Sequence, residues 1–160
     1  MGGWKQLLAL LRPNGFMNLG FYSEVARRNI VRIRALITEH GYGSTSEEIR
    51  KCRQLLIDFD KSADYGSTLE SPDFFSLSTC RDLLFHVQEQ RMALSDIKAF
   101  LGENRLQFLG FNIDAVVLHE YKLRFPNDRA AINLDQWQIF ENDNPDTFKN
   151  MYQFWIQKIG

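Results

Sequence analysis

The chain has 160 residues and a formal net charge of -1, so it forms one domain or part of one, and a nucleic-acid binder that depends on a basic surface is disfavoured. The two cysteines, Cys52 and Cys80, stand alone rather than in a C-x-x-C pair, which argues against a zinc ribbon or disulfide scaffold and favours a reducing cytosol. No stretch approaches the ~20 apolar residues of a membrane helix, and no long apolar run follows Met1 as in a signal peptide, so we expect a cytoplasmic protein.

An uncharged strand follows a tight turn near the N-terminus. The spacing of apolar residues from Trp4 to Leu11 predicts a helix, which Pro13 ends before Gly15 reverses the chain. Phe16 to Tyr22 contains no charged residue, and a strand without a polar face is usually covered on both sides, as in α/β sheets. Ser23 therefore lies just past the carboxyl end of a buried strand, where open α/β sheets bind ligands.

Two helices are predicted after this strand, the first from Glu24 to His40 and the second from a capping box at residues 45–48 to about Phe59. The first has an apolar stripe rich in isoleucine on one side and four arginines on the other. An arginine-bearing face is typical of a solvated helix surface; binding of phosphate, an acidic substrate or nucleic acid is the alternative. Cys52 lies on the apolar side of the second helix, so we expect it to be a core thiol.

The helical stretch that begins at Ser71 carries the pair of residues most suited to chemistry. Ser71 is placed to cap this helix, with Pro72 in its first turn. His86 and Glu89 are three residues apart and share one helix face, and a histidine can shuttle protons at neutral pH. The alternative is a histidine that hydrogen-bonds a backbone carbonyl and orients the following loop.

A second strand and three further helices are predicted in the last third of the chain. A helix capped by Ser95 leads to a second apolar strand over Leu106 to Phe111. Helices are then expected up to Pro126, after Asn133 and after Asn144. The aromatic and apolar residues of the last one recur at helical spacing, which favours a packed core over a ligand cage; they are Phe148, Met151, Tyr152, Trp155 and Ile159.

Three segments carry a resemblance to a known family. They are the Leu11-Arg12-Pro13-Asn14-Gly15 turn with its strand ending in Gly-Phe-Tyr-Ser, the stretch from Ser71 to Glu89, and the stretch from Asn144 to Trp155. In this order they resemble the C-terminal half of bacterial class I S-adenosylmethionine-dependent methyltransferases, a family that often carries tetratricopeptide repeats upstream.

The resemblance implies a helix-rich α/β protein with a partial Rossmann-like methyltransferase fold. It assigns Phe16 to Tyr22 to the sixth strand of that fold and Leu106 to Asn112 to the seventh, which is antiparallel to its neighbours, so we expect these two strands to pair antiparallel. The single domain or half-domain 1–160 then divides into a helix-turn-strand at 1–23, a helical insertion or lid at 24–90, a helix-strand at 91–113 and C-terminal helices at 114–160.

The part of the family fold that holds the cofactor has no counterpart in this sequence. The resembled enzymes bind S-adenosylmethionine with a glycine-rich loop after their first strand, because a backbone without Cβ atoms approaches the ligand closely. No G-x-G pattern follows a predicted strand here. We therefore expect the cofactor to belong to the complete enzyme, and this chain to bind none and to be inactive alone.

Four residues are the candidates for the substrate side of such an enzyme. The resemblance places Tyr22 and Ser23 at the carboxyl end of a strand, and His86 and Glu89 near the substrate cleft. Tyr22 and His86 are the candidate catalytic bases, and Ser23 and Glu89 are the candidates for substrate binding. No cofactor-binding residue is proposed.

Neither a metal site nor a membrane partner is predicted. His40, His86 and His119 are far apart and form no H-x-x-x-H pair. The expected partner is an N-terminal methyltransferase half or a second copy of the chain, joined through an exposed apolar strand edge at Leu106 to Phe111. A non-catalytic protein-interaction module or subunit is the alternative to an enzyme.

Overall fold

The computed structural model describes residues 2–59, 66–85 and 89–160. They form two compact units, which we call the sheet unit (Met1–Ala26 with Gln90–Gly160) and the helical unit (Arg27–Glu89). The buried apolar residues divide in the same way, because one hydrophobic cluster lies wholly in the sheet unit and another wholly in the helical unit. Each unit therefore has a core of its own.

Most of the helices lie in two runs between the strands, one run between the first and second strands and the other between the third and fourth. In order, the helices are α1 (Gly2–Leu10), α2 (Arg28–Glu39), α3 (Ser46–Phe59), α4 (Gly66–Leu69), α5 (Pro72–Phe75), α6 (Leu77–Cys80), α7 (Leu94–Glu103), α8 (Ala115–Arg124) and α9 (Leu134–Asp143). The strands are β1 (Phe16–Ser23), β2 (Arg91–Met92), β3 (Leu106–Phe111) and β4 (Tyr152–Lys158). In the described part of the chain, no helix has both the length and the apolar character needed to cross a bilayer.

The four strands form one mixed sheet in the order β2-β1-β4-β3. β4 pairs antiparallel with both β1 and β3. β2 pairs parallel with β1 through two residue pairs, of which one joins Tyr22 to Arg91. The C-terminal strand thus lies inside the sheet, with a neighbour on each side.

The prediction that Phe16–Tyr22 pairs antiparallel with Leu106–Asn112 is wrong. Both segments form strands, but each pairs with β4, which lies between them. At one point of the register Trp155 faces Asn18 on one side and Gly110 on the other. Because both strands are antiparallel to β4, they run in the same direction, which rules out antiparallel pairing between them.

The predicted C-terminal helix is also wrong. A single 3-10 turn covers Pro145–Phe148, and the chain then becomes β4. Tyr152, Phe154 and Ile156 are buried, whereas Trp155, which lies between Phe154 and Ile156, is exposed. This is the two-residue alternation of a strand. The aromatic residues fit both periods, and pairing with two neighbouring strands decides between them because it satisfies the backbone groups of β4 on both edges.

One face of the sheet carries the core of the sheet unit. Trp4 of α1 stacks on Phe100 of α7 with the ring centroids 3.8 Å apart, and it lies 5.0 Å from Phe21 of β1 and 6.3 Å from Phe154 of β4. These rings join two helices to two strands, so the amphipathic faces of α1 and α7 are buried on the sheet.

The turn between α1 and β1 is fixed by the far end of β4. Asn14 has a φ of 61°, and a Cβ on Gly15 would lie 2.8 Å from the carbonyl oxygen of Arg12, so this reversal requires glycine. The N–H of Asn14 donates to the carbonyl of Lys158, and the N–H of Lys158 donates to the carbonyl of Gly15. The Lys158 ammonium also donates to the carbonyls of Leu8 and Leu11, at 3.1 and 2.8 Å, so a cation from β4 lies at the C-terminal end of α1.

The helical unit closes around its own apolar core. The hydroxyl of Ser71 accepts a hydrogen bond from the Asp73 N–H at 3.3 Å, so the predicted cap of α5 is confirmed. Cys52 and Cys80 are both fully buried, and burial raises the pKa of the Cys52 thiol to about 11. Both cysteines are therefore protonated core residues, as predicted for Cys52.

Candidate functional site

A buried glutamate joins two hydroxyl groups where β1 ends and β4 begins. The Ser23 hydroxyl donates to one carboxylate oxygen of Glu141, and the Tyr152 hydroxyl donates to the other at 2.7 Å. All three residues are in the interior, with Ser23 1% exposed and Glu141 and Tyr152 fully buried. We call these three residues the Glu141 network.

Each member of the network is placed by the element that carries it. Ser23 is the last residue of β1 and Tyr152 is the first residue of β4, and the two strands are in register with Phe21 opposite Tyr152. Glu141 lies on α9, two turns after Leu134 on the buried face of that helix. The end of one strand, the start of the next and one helix therefore meet at a single carboxylate.

The electrostatics of the network keep its hydroxyl protons in place. Burial raises the pKa of Tyr152, and the negative charges of Glu141 and Glu24 raise it further, so the phenol remains protonated and donates to the carboxylate. The Ser23 oxygen accepts a hydrogen bond from the Ala26 N–H at 3.0 Å, while its proton is engaged by Glu141. The network is thus a fixed anchor for the carboxyl end of β1 rather than a solvent-exposed base.

The predicted site residues have different environments. Tyr22 is half-buried and lies on the opposite face of β1 from buried Ser23, since neighbouring strand residues alternate. Glu89 belongs to the helical unit, where Arg27 and Arg34 approach its carboxylate to 2.9 and 2.6 Å. His86 lies outside the described residues. Catalytic roles for Tyr22 and His86 and substrate roles for Ser23 and Glu89 remain predictions.

Sequence reasoning missed two residues of the network. Glu141 follows Leu134 and Trp137 at the i, i+3, i+7 spacing of the buried face of α9. A buried carboxylate needs hydrogen-bond donors. The position of Glu141 in the apolar stripe of α9 is therefore the sequence signal that indicates a buried polar network. Tyr152 gives no such signal, because the spacing of apolar residues in its segment also fits a helix.

No group of three or more histidine, cysteine, aspartate or glutamate residues in the described ranges is arranged to hold a metal ion. No family model matches the sequence, and no curated protein matches it.

Proposed function

We propose that this chain is the C-terminal, substrate-side part of a class I S-adenosylmethionine-dependent methyltransferase. The observation that carries the proposal is the position of β4, which is antiparallel to both of its neighbours. In the resembled fold the seventh strand is antiparallel to its neighbours and lies beside the sixth. The proposal therefore assigns β4 to the seventh strand of that fold and β3 to the sixth. β1, which the sequence resemblance assigned to the sixth strand, is reassigned to an earlier one.

The carboxyl end of β1 is the substrate side in this proposal. Ser23 is anchored there by Glu141, and its neighbour Tyr22, which is half-buried, lies on the other face of the strand. An anchored strand end supports positioning of a substrate, and positioning is the main task of a protein in an in-line methyl transfer. Tyr22 is accordingly our candidate for contact with the methyl acceptor.

The residues present do not fit the cofactor. A glycine-rich connection after a strand is needed for the close approach of S-adenosylmethionine. In the sheet unit, the described connections after β1, β2 and β3 consist of residues 24–26, Ala93 and 112–114, and none contains glycine. We therefore assign cofactor binding to a separate N-terminal half and derive no chemical step from this chain alone.

Calorimetric titration with S-adenosylmethionine tests this assignment. The chain alone is expected to give only the heat of dilution, because it lacks the loop that would cradle the ligand. S-adenosylhomocysteine, titrated in the same way, serves as the matched ligand without the transferable methyl group. Stoichiometric binding of either compound at micromolar concentration would contradict the assignment of a missing cofactor half.

A second candidate function is a non-catalytic interaction module. β3 is an edge strand of the sheet and carries no charged side chain, although natural edge strands are usually protected by charge. On the face of the sheet opposite the core, Phe16 is 59% and Trp155 is 47% exposed. These apolar surfaces favour self-association through a second copy of the chain.

Light scattering coupled to size-exclusion chromatography separates the two candidates. The interaction module is expected to form a dimer whose fraction rises with protein concentration. A substitution of Leu109 by lysine, which introduces a charge on the edge strand, is expected to return it to a monomer. A wild-type monomer across the whole concentration range would contradict this second candidate.

A further inference from the structure

The first and last residues of the helical unit are joined by an ion pair. Arg27 opens the unit and Glu89 closes it, and the Arg27 Nε lies 2.9 Å from one Glu89 carboxylate oxygen. Arg34, on α2, approaches the other oxygen to 2.6 Å and also donates to the Leu83 carbonyl at 2.8 Å. The two ends of the unit are therefore held together by three side chains, which we call the ion triad.

The ion triad is mostly withdrawn from water. Its side chains are 11% (Arg27), 20% (Arg34) and 7% (Glu89) exposed, so salt screens their attraction less than it screens a surface pair. The Glu89 carboxylate and the two guanidinium groups attract each other at close range, with N–O distances of 2.9 and 2.6 Å. Removal of the carboxylate would leave two guanidinium groups side by side in a poorly hydrated place.

The sheet unit is also closed where the chain leaves it and returns. Ser23 and Met92 are register partners of β1 and β2, and the Glu24 N–H donates to the Met92 carbonyl at 3.0 Å. The chain thus departs from and re-enters the sheet unit at neighbouring points. Neither unit needs the other to bring its own ends together.

We propose that the helical unit unfolds and refolds cooperatively while the sheet unit stays folded, and that the ion triad stabilises the folded form of the helical unit. Two observations carry this proposal: the helical unit has a separate apolar core, and its two ends are tied by the triad. Cooperative opening of a contiguous segment with its own core is a general form of local unfolding. The proposal does not depend on the enzymatic assignment.

The full chain carries one natural reporter for each unit. Its three tryptophans, Trp4, Trp137 and Trp155, all lie in the sheet unit. Its two cysteines, Cys52 and Cys80, both lie in the helical unit and are fully buried. Tryptophan fluorescence therefore follows the sheet unit, and thiol reactivity follows the helical unit.

The experiment measures both signals on the intact chain as urea is raised. The thiol probe is 5,5′-dithiobis(2-nitrobenzoate): a cysteine thiolate attacks its disulfide, a mixed disulfide forms and 2-nitro-5-thiobenzoate leaves. We expect labelling to accelerate at urea concentrations where tryptophan fluorescence is still native. Glu89→Gln is expected to raise the labelling rate by at least about tenfold, which corresponds to about 1.4 kcal/mol, without moving the fluorescence midpoint.

Glu47→Gln is the matched control in the same unit. It also neutralises a glutamate that pairs with a basic residue, but the Glu47 and Lys51 side chains are 77% and 62% exposed, so labelling is expected to change by no more than about twofold. Immediate labelling of Glu89→Gln with native fluorescence would still support the proposal. Thiol and fluorescence transitions that coincide in the wild type, or that shift together in Glu89→Gln, would overturn it.

Discussion

Replacement of Phe154 by alanine is expected to lower the free energy of unfolding by about 3–5 kcal/mol. The ring is fully buried on the central strand β4. Its centroid lies 6.2 Å from Phe21, 5.8 Å from Phe108 and 5.9 Å from Phe111. Its loss would leave a cavity that borders β1 and β3 at once, and chemical unfolding followed by far-ultraviolet circular dichroism measures the cost.

Trp155→Ala is the control for this substitution. Trp155 is the next residue along β4, but its side chain lies on the opposite face of the sheet and is 47% exposed, so its removal is expected to cost less than about 1 kcal/mol. A large difference between neighbouring aromatic residues is what a strand predicts. Comparable losses for the two variants would argue against the alternation on which the position of β4 depends.

The second large effect is expected for Glu141→Ala, at about 2–4 kcal/mol. The substitution removes the acceptor of both the Ser23 and the Tyr152 hydroxyls and leaves two buried donors without their partner. Glu141→Gln keeps one carbonyl oxygen of similar size, so its cost is expected to be about 1 kcal/mol. Urea unfolding monitored by circular dichroism compares the two variants directly.

A double-mutant cycle shows whether this loss comes from the network. Tyr152→Phe removes one donor and is expected to cost about 1 kcal/mol in the wild type. In the Glu141→Ala background it should cost almost nothing, because the hydroxyl has already lost its acceptor. Equal costs in both backgrounds would show that Glu141 and Tyr152 act independently, contrary to the hydrogen bond between them.

Local features of the fold were predictable from the residues alone. The uncharged run from Phe16 to Tyr22 and the apolar run from Leu106 to Phe111 were predicted as strands, and both form. The cap at Asn133 was predicted too, and its side chain accepts hydrogen bonds from the Asp135 and Gln136 N–H groups. Such features depend on composition and spacing within a few residues, which is the range over which a single sequence is informative.

The arrangement of the sheet was not predictable in the same way. Tyr152, Phe154 and Ile156 alternate with polar or exposed residues, but the same short segment also satisfies helical spacing, and only its two pairing partners decide between the periods. The Glu141 network has a similar origin, because Ser23 and Glu141 come together only after β1 and α9 have packed. Contacts between distant segments have little effect on the local sequence pattern. For the Glu141 network, the only such sign is a charged residue on the buried face of α9.

The interior position of β4 has a consequence for the order in which the sheet forms. β1 and β3 both precede β4 in the chain, and each pairs with β4 rather than with the other. Pairing between segments this far apart in sequence slows folding. Until β4 has joined the sheet, two uncharged strands have unpaired edges, so the partly folded protein is most prone to aggregation before this step.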